Sequence, residues 1–189
     1  APEASLYGAE IDIQKYVDLG NLSSGDFFAT RRLVLVANYT YTKSELKVQS
    51  SDKTRFFGAF STNATDFFQN GTPLTGQSDH IVNLQAGIED TDKLSQLTFL
   101  LTYSSDRVTS RGVNGSPPQP DIIERPGFRL DLVGRQGIKI AGQQADLKVE
   151  LRNLTKTKYT EFQQSGKNRI IYNQYDPGMS ASIGLSFNF

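Results

Sequence analysis

The chain has 189 residues, with 20 basic and 20 acidic side chains, one histidine and no cysteine. This length suits one domain with its own core or part of a larger domain, and the balanced charge gives no indication of a nucleic-acid partner. The lack of cysteine excludes disulfides, thiolate metal sites and thiol nucleophiles. No apolar run approaches the ~18 residues of a membrane-spanning helix.

Alternation of apolar and polar side chains recurs along the whole chain and predicts β-strands. In the first strand, for example, Ile11 and Ile13 lie on one face and Asp12 on the other. The predicted strands cover about Leu6–Gln14, Arg32–Lys43, His80–Ile88, Gln96–Ser104, Gly127–Arg135, Asp146–Arg152 and Met179–Phe189. We therefore expect an all-β fold, an antiparallel up-and-down meander of about seven to eight strands, with residues 55–62 as the candidate eighth.

The last predicted strand, Met179–Phe189, is the most regular. Its odd-numbered positions are apolar and its even-numbered positions are small or polar. Its length matches the ~9–11 residues with which a tilted strand crosses a bilayer, with one face toward hydrocarbon and the other toward a wet interior. The same alternation also fits a half-buried strand of a soluble β-sandwich.

The connections between predicted strands alternate in length along the chain. The short or moderate ones are 15–31, 89–95 and 137–144, and the long ones are 44–79, 105–121 and 160–176. Successive connections of an antiparallel meander lie at opposite ends of the strands. The three long connections are therefore expected at the same end. Transmembrane barrels sort their loops in this way, with short periplasmic turns and long extracellular loops.

Charged side chains concentrate on one face of the fifth and sixth predicted strands. They are Arg129, Asp131, Arg135, Lys148, Glu150 and Arg152. In a soluble sandwich this face would meet solvent. In a large barrel it would line a wet lumen, where charges of opposite sign can pair laterally between neighbouring strands. We treat the six residues as candidates for a lumen-facing surface.

Two segments near the end of the sequence resemble TonB-dependent outer-membrane receptors. Leu147–Tyr159 is similar to their penultimate strand, in which an alternating strand runs into Asn-Leu, a few polar residues and Tyr. Tyr175–Phe189 is similar to their final Pro-Gly and alternating strand, and its aromatic residues Phe187 and Phe189 resemble the signal that barrel-assembly machinery reads. Two further stretches resemble earlier strands of these receptors, Tyr7–Ile13 and Ala37–Ser44.

This resemblance implies a place in the bacterial outer membrane, in contact with its lipid, and a 22-stranded barrel filled by a plug domain. Residues 1–189 would be the C-terminal part of that barrel, without the plug and the N-terminal strands. The implied function is uptake of a scarce, bulky nutrient such as a ferric siderophore, cobalamin or a glycan. The TonB energy-coupling protein would act through the missing plug, and the small-molecule or metal-chelate ligand would contact the three long loops.

Other classes of function stay open at this point. One is a small autonomous outer-membrane barrel with an adhesin or structural role, which would use 55–62 as a strand. Another is an outer-membrane hydrolase that uses Asp79 and His80, although catalysis would need a further group to activate water or a nucleophile. A third is a soluble β-sandwich that binds a partner. We expect no enzymatic activity, no cofactor and no metal site, because no cluster of convergent oxygen ligands stands out.

Overall fold

The computed structural model describes residues 2–22, 25–55, 58, 61–113, 115 and 117–187. The fold is all-β, with 62% of the described residues in strands and 6% in helices. The strands are β1 (Glu3–Asp18), β2 (Arg31–Lys47), β3 (His80–Asp90), β4 (Ser95–Ser104), β5 (Arg107–Ser110), β6 (Ile122–Glu124), β7 (Gly127–Ile140), β8 (Gln143–Arg152), β9 (Tyr159–Ser165), β10 (Asn168–Tyr175) and β11 (Ser180–Phe187). The helical elements of the described residues are the short helix α1 (Asp26–Ala29) and the 3-10 turns Leu19–Asn21 and Ala64–Asp66.

Seven strands form one antiparallel sheet in the order β1-β2-β3-β4-β7-β8-β11, with β1 and β11 at its edges. They are the strands predicted from the alternation, so the expected all-β meander is confirmed. The first two are longer than predicted, because β1 and β2 pair without interruption from Glu3 opposite Lys47 to Asp18 opposite Arg32. The ladder pairs the backbone N–H and C=O groups of both strands by hydrogen bonds. The polar residues at the two ends of β1 and β2 therefore belong to the strands as well.

The pairing register gives this sheet an apolar face and a polar face. On the apolar face, Leu84 lies between Ala37 and Leu101. On the polar face, the neighbouring Asn83 lies between Asn38 and Thr102. One apolar row crosses all seven strands through Val17, Leu33, Ile88, Leu97, Gly134, Val149 and Ile183. One polar row crosses them through Asp18, Arg32, Glu89, Gln96, Arg135, Lys148 and Gly184.

The apolar face is not covered by a second layer of the described residues. Ile183 is 76% exposed, Ile13 59% and Phe99 45%. The buried hydrophobic residues of the described part of the chain are Leu19, Val34, Ala64, Ala145 and Phe162. A two-layer sandwich would bury one face of each sheet against the other, and the described residues do not pack in that way.

Four shorter strands form a second antiparallel sheet in the order β10-β9-β6-β5. The stretches 105–121 and 160–176 were expected as loops, and this expectation is wrong for residues 107–110, which form β5, and for most of 160–176, which lies in β9 and β10. Only residues 105–106 separate β4 from β5, and only 125–126 separate β6 from β7. The order β5-β6-β9-β10 repeats the order β4-β7-β8-β11 of the strands to which these four are joined. The second sheet therefore continues the first beyond the ends of its strands, and we call it the extension sheet.

The expected sorting of connections by length is confirmed. At one end of the strands, the seven-stranded sheet has the short connections 19–30, 91–94 and 141–142. At the other end it has the long connections 48–79, 105–126 and 153–179. The tightest turn is Ala141-Gly142, where both residues have positive φ, 50° and 84°. This matches the two-residue hairpin turn whose twist suits antiparallel strands.

The candidate eighth strand at 55–62 falls largely outside the described residues, since 56, 57, 59 and 60 are not among them. Beside it, Lys53 and Asn63 form an isolated antiparallel bridge.

Asn153 fastens the junction between the two sheets. It is buried and adopts a left-handed conformation with φ of 56°, which Asn tolerates better than most residues. Its Nδ2 donates to the Gly178 carbonyl at 2.8 Å, and its Oδ1 accepts from the Thr157 amide at 2.9 Å. Its own amide donates to Asp131 Oδ1 at 2.8 Å. One residue therefore ties β7, the β8–β9 connection and the β10–β11 connection together.

Replacing Asn153 by Ala is expected to lower the free energy of unfolding by about 2–4 kcal/mol, because it removes the side-chain hydrogen bonds to Gly178 and Thr157 and strains a left-handed residue. Asn153→Gly removes the same bonds without the strain and should cost about 1–3 kcal/mol. Urea unfolding followed by circular dichroism measures both. Equal stability of the Ala variant and the unaltered chain would show that the junction does not depend on this residue.

Candidate functional site

A cleft of about 560 Å3 lies where the polar face of the seven-stranded sheet meets the extension sheet. Its floor includes Thr102, Arg129 and Arg152, and its upper wall includes Tyr159 and Tyr175. The volume falls within the ~300–1,000 Å3 of small-molecule sites. The chain passes between the two sheets four times, from β4 to β5, β6 to β7, β8 to β9 and β10 to β11. These passages frame a concave site at the strand ends that carry the long connections.

The six charged residues singled out from the sequence share the polar face of β7 and β8. The structure brings Arg129 and Arg152 into the cleft, with Asp131 and Glu150 beside them as ion-pair partners. Arg135 and Lys148 lie further along the strands, toward the short connections. That this face lines a lumen stays a prediction.

Among these six residues, the ion pairs run along β7 and β8 and not between them. Arg129 pairs with Asp131 at 3.5 Å, while Glu150 pairs with Arg152 at 3.0 Å and with Lys148. Lateral pairing was expected for these residues. The register prevents it at one position, because Arg135 lies opposite Lys148, a residue of like charge.

Several cleft residues were not identified from the sequence. They are Glu124, Arg125, Lys158, Tyr159 and Tyr175. A repeated signal marks the site, because Arg125-Pro126-Gly127 precedes β7 and Asp176-Pro177-Gly178 precedes β11. In both, the glycine has positive φ, 65° and 69°. Each Pro-Gly turn marks a place where a strand of the extension sheet passes into the seven-stranded sheet.

The charged side chains that enter the cleft from the extension sheet have well-defined partners. Arg125 holds Asp106 through two nitrogens at 2.9 and 2.6 Å, and its guanidinium lies 5.1 Å from the centre of the Phe162 ring. Glu124 accepts two hydrogen bonds from Arg107, at 2.8 and 3.1 Å. Lys158 lies 4.0 Å from Asp176, beyond hydrogen-bond distance.

Two aromatic rings form part of the cleft wall. Tyr159 and Tyr175 stack with their ring centres 4.8 Å apart and their planes 19° from parallel. Partial burial, together with hydrogen bonding to Glu161, raises the pKa of Tyr159 to about 12. Both effects favour the neutral form of the Tyr159 phenol.

Asp79 and His80 do not form a pair with each other in the described hydrogen-bond network. Asp79 Oδ2 accepts from Lys43 Nζ at 2.8 Å, and His80 Nδ1 lies 2.9 Å from the Tyr39 hydroxyl. The imidazole also stacks near Tyr39 and Tyr41, at centre distances of 6.1 and 5.3 Å. The geometry therefore places His80 in an aromatic cluster rather than beside an orienting carboxylate.

One residue of the expected assembly signal, Phe187, is the last residue of β11. Phe187 closes the ladder with β8, opposite Ala145. Phe189 lies outside the described residues.

Among the residues that the structure describes, no group of three or more His, Asp and Glu side chains is arranged to hold a metal ion. The same residues include no helix with the length and apolar character needed to cross a membrane. Comparison of the chain with protein families, curated proteins and solved structures gave no match.

The like-charge contact between Arg135 and Lys148 predicts a stabilising substitution. Arg135→Glu should raise the free energy of unfolding by roughly 0.5–1 kcal/mol, because opposite charges facing each other across two strands attract. Arg135→Gln, which only removes the repulsion, should give a smaller gain. Urea unfolding at low and high salt measures this, and a gain that does not shrink at high salt would contradict an electrostatic origin.

The raised pKa of Tyr159 predicts a late phenol titration. Because the folded pKa of about 12 lies above the usual value of about 10, the stability that this phenol contributes is fully present below about pH 10 and is lost as the pH rises toward 12. Ultraviolet difference absorbance should show one phenol fewer at the end of the titration in Tyr159→Phe. In Glu161→Gln that phenol should titrate earlier, and an unchanged curve would argue against the hydrogen bond.

Proposed function

We propose that the chain is part of the barrel wall of a TonB-dependent outer-membrane receptor that imports a scarce, bulky nutrient. The observation that carries this proposal is a continuous apolar face that crosses seven strands and is left uncovered by the described residues. The opposite face of the same sheet is polar and holds a cleft. Lipid would cover the apolar face, and water and ligand would meet the polar face. The resemblance of Leu147–Tyr159 and Tyr175–Phe189 to such receptors supports the finer assignment.

The height of the apolar face supports a place in the bilayer. On β2 the outward set runs from Leu33 to Tyr41, which is about 27 Å along the strand at ~3.4 Å per residue. A tilt of ~40° shortens this to about 21 Å, close to the ~25 Å apolar band of transmembrane barrels.

Aromatic side chains lie on the apolar face near the strand ends that carry the long connections. Tyr39, Tyr41, Tyr103 and Phe128 lie on this part of the face, with Tyr103 and Phe128 stacked at 4.4 Å. Tyr places a ring in an apolar layer and a hydroxyl toward water, which is why aromatic girdles mark membrane interfaces. The long connections would then be extracellular.

The two edges of the sheet indicate how such a wall would close. With seven antiparallel strands, β1 and β11 run in the same direction, so they cannot pair with each other as antiparallel neighbours. An antiparallel barrel needs an odd number of further strands between these edges, which gives an even total. In the proposed receptor the N-terminal strands supply them, the plug fills the lumen and couples to TonB, and the assembly machinery inserts the barrel.

Because the chain has no cysteine, single cysteines can test which face meets lipid. In membranes, Leu84→Cys and Ile183→Cys on the apolar face should resist a water-soluble maleimide and respond to a lipid-borne quencher through an attached probe. The matched variants Asn83→Cys and Ser182→Cys occupy neighbouring positions on the polar face and should show the opposite pattern.

Reaction of Leu84→Cys and Asn83→Cys at equal rates would refute the membrane assignment. A monomer that stays soluble without detergent and protects only the apolar-face cysteines would favour the β-sandwich. A chain that alone gives heat-modifiable migration on gels would favour the autonomous barrel with an adhesin or structural role.

A further inference from the structure

We infer that the cleft between the two sheets binds a small solute that carries at least two oxyanion groups, such as carboxylates or phosphates. This inference rests on the proposed function and gives its ligand a chemical class. It follows from which charged groups in the cleft already have partners, how those partners are shared, and which donors remain directed into the open space.

The strongest unused donors of the cleft belong to Arg129. Its guanidinium is 3.5 Å from Asp131, and the other oxygen of that carboxylate already accepts the Asn153 amide. The Arg129 side chain is 56% exposed and lies in the cleft. A guanidinium presents a planar fork of donors that matches a carboxylate or phosphate in two parallel bonds.

Lys158 provides a second positive centre, on the connection that follows β8. Its ammonium is 4.0 Å from Asp176 and its side chain is 54% exposed, so the pair is loose and solvent-screened. Arg129 and Lys158 are placed on different elements around the same cleft. Two separate cations favour a ligand with two anionic groups over one with a single charge.

Counted with their partners, the charged groups around the cleft sum to one positive charge. Three cations are each balanced by one carboxylate, in the pairs Arg129–Asp131, Lys158–Asp176 and Arg125–Asp106. Glu150 is shared by Lys148 and Arg152, which leaves one positive charge in excess in that cluster. Glu124, which lines the cleft, accepts hydrogen bonds from two nitrogens of Arg107. An anion entering the cleft therefore meets one net positive charge together with the exposed donors of Arg129 and Lys158, and this charge attracts it.

The experiment uses the chain folded in detergent micelles and isothermal titration calorimetry with four probes. Inorganic pyrophosphate and citrate carry several oxyanion groups, acetate carries one, and glucose is neutral. Pyrophosphate and citrate should bind measurably more tightly than acetate, and glucose should give no signal. Their affinity should fall as salt rises, because the contacts are between charges.

Substitutions locate the site. Arg129→Gln and Lys158→Gln should each weaken pyrophosphate binding about tenfold or more, and Arg129→Lys should keep part of the affinity. The matched control is Lys139→Gln, which removes a cation from the same face of β7, about 34 Å along the strand from Arg129 at ~3.4 Å per residue. Circular dichroism and the Tyr159 titration establish that each variant keeps the junction.

The outcomes separate this inference from the proposed function. Equal loss in Lys139→Gln and Arg129→Gln would show attraction to overall charge and overturn the inference, as would glucose binding as well as pyrophosphate. If the cysteines place the apolar face in lipid and no probe binds at Arg129, the ligand class is wrong and the barrel assignment stands. If pyrophosphate binds at Arg129 and the cysteines show no lipid contact, the oxyanion site stands and the barrel assignment fails.

Discussion

Cross-strand register is the constraint on which this fold depends. Pairing runs from Glu3 opposite Lys47 at one edge to Phe187 opposite Ala145 at the other, and a slip of one residue in any ladder would move a strand's apolar set to the polar face. The described residues bury little apolar surface, so ladder hydrogen bonds and cross-strand contacts are the main internal interactions. The medium that covers the apolar face then decides how stable the sheet is, since apolar burial is the dominant favourable term in folding.

The concave site lies at the junction between the two sheets, where the chain departs from strand geometry. At Gly127 and Gly178 the chain adopts positive φ after a proline, and at Asn153 it does so again with a side chain that bonds across to the Gly178 carbonyl. These three departures from strand geometry separate the extension sheet from the seven-stranded sheet without changing the order of the strands. The cleft therefore lies where the seven-stranded sheet passes into the extension sheet, and both sheets stay hydrogen-bonded there.

The sequence allowed the seven long strands, their two faces and the sorting of connections to be predicted, because period-two alternation extends over seven or more residues in each of them. The extension strands gave no such signal: β6 is only Ile122–Glu124, and its pairing with β9 is long-range. Half of the cleft was missed for a related reason. Arg125 and Lys158 belong to turns, where no periodicity fixes the direction of a side chain, so only the folded junction brings them to Arg129.

Asp131 connects the candidate site to the junction. One of its oxygens accepts the Asn153 amide at 2.8 Å, and the other pairs with Arg129 at 3.5 Å. The hydrogen bond is the shorter and better aligned interaction, whereas the ion pair is long and partly exposed and contributes little on its own. In the proposed binding, an anion that takes Arg129 from Asp131 would leave the hydrogen bond from the Asn153 amide to Asp131 in place. The junction would then stay closed while the cleft is occupied.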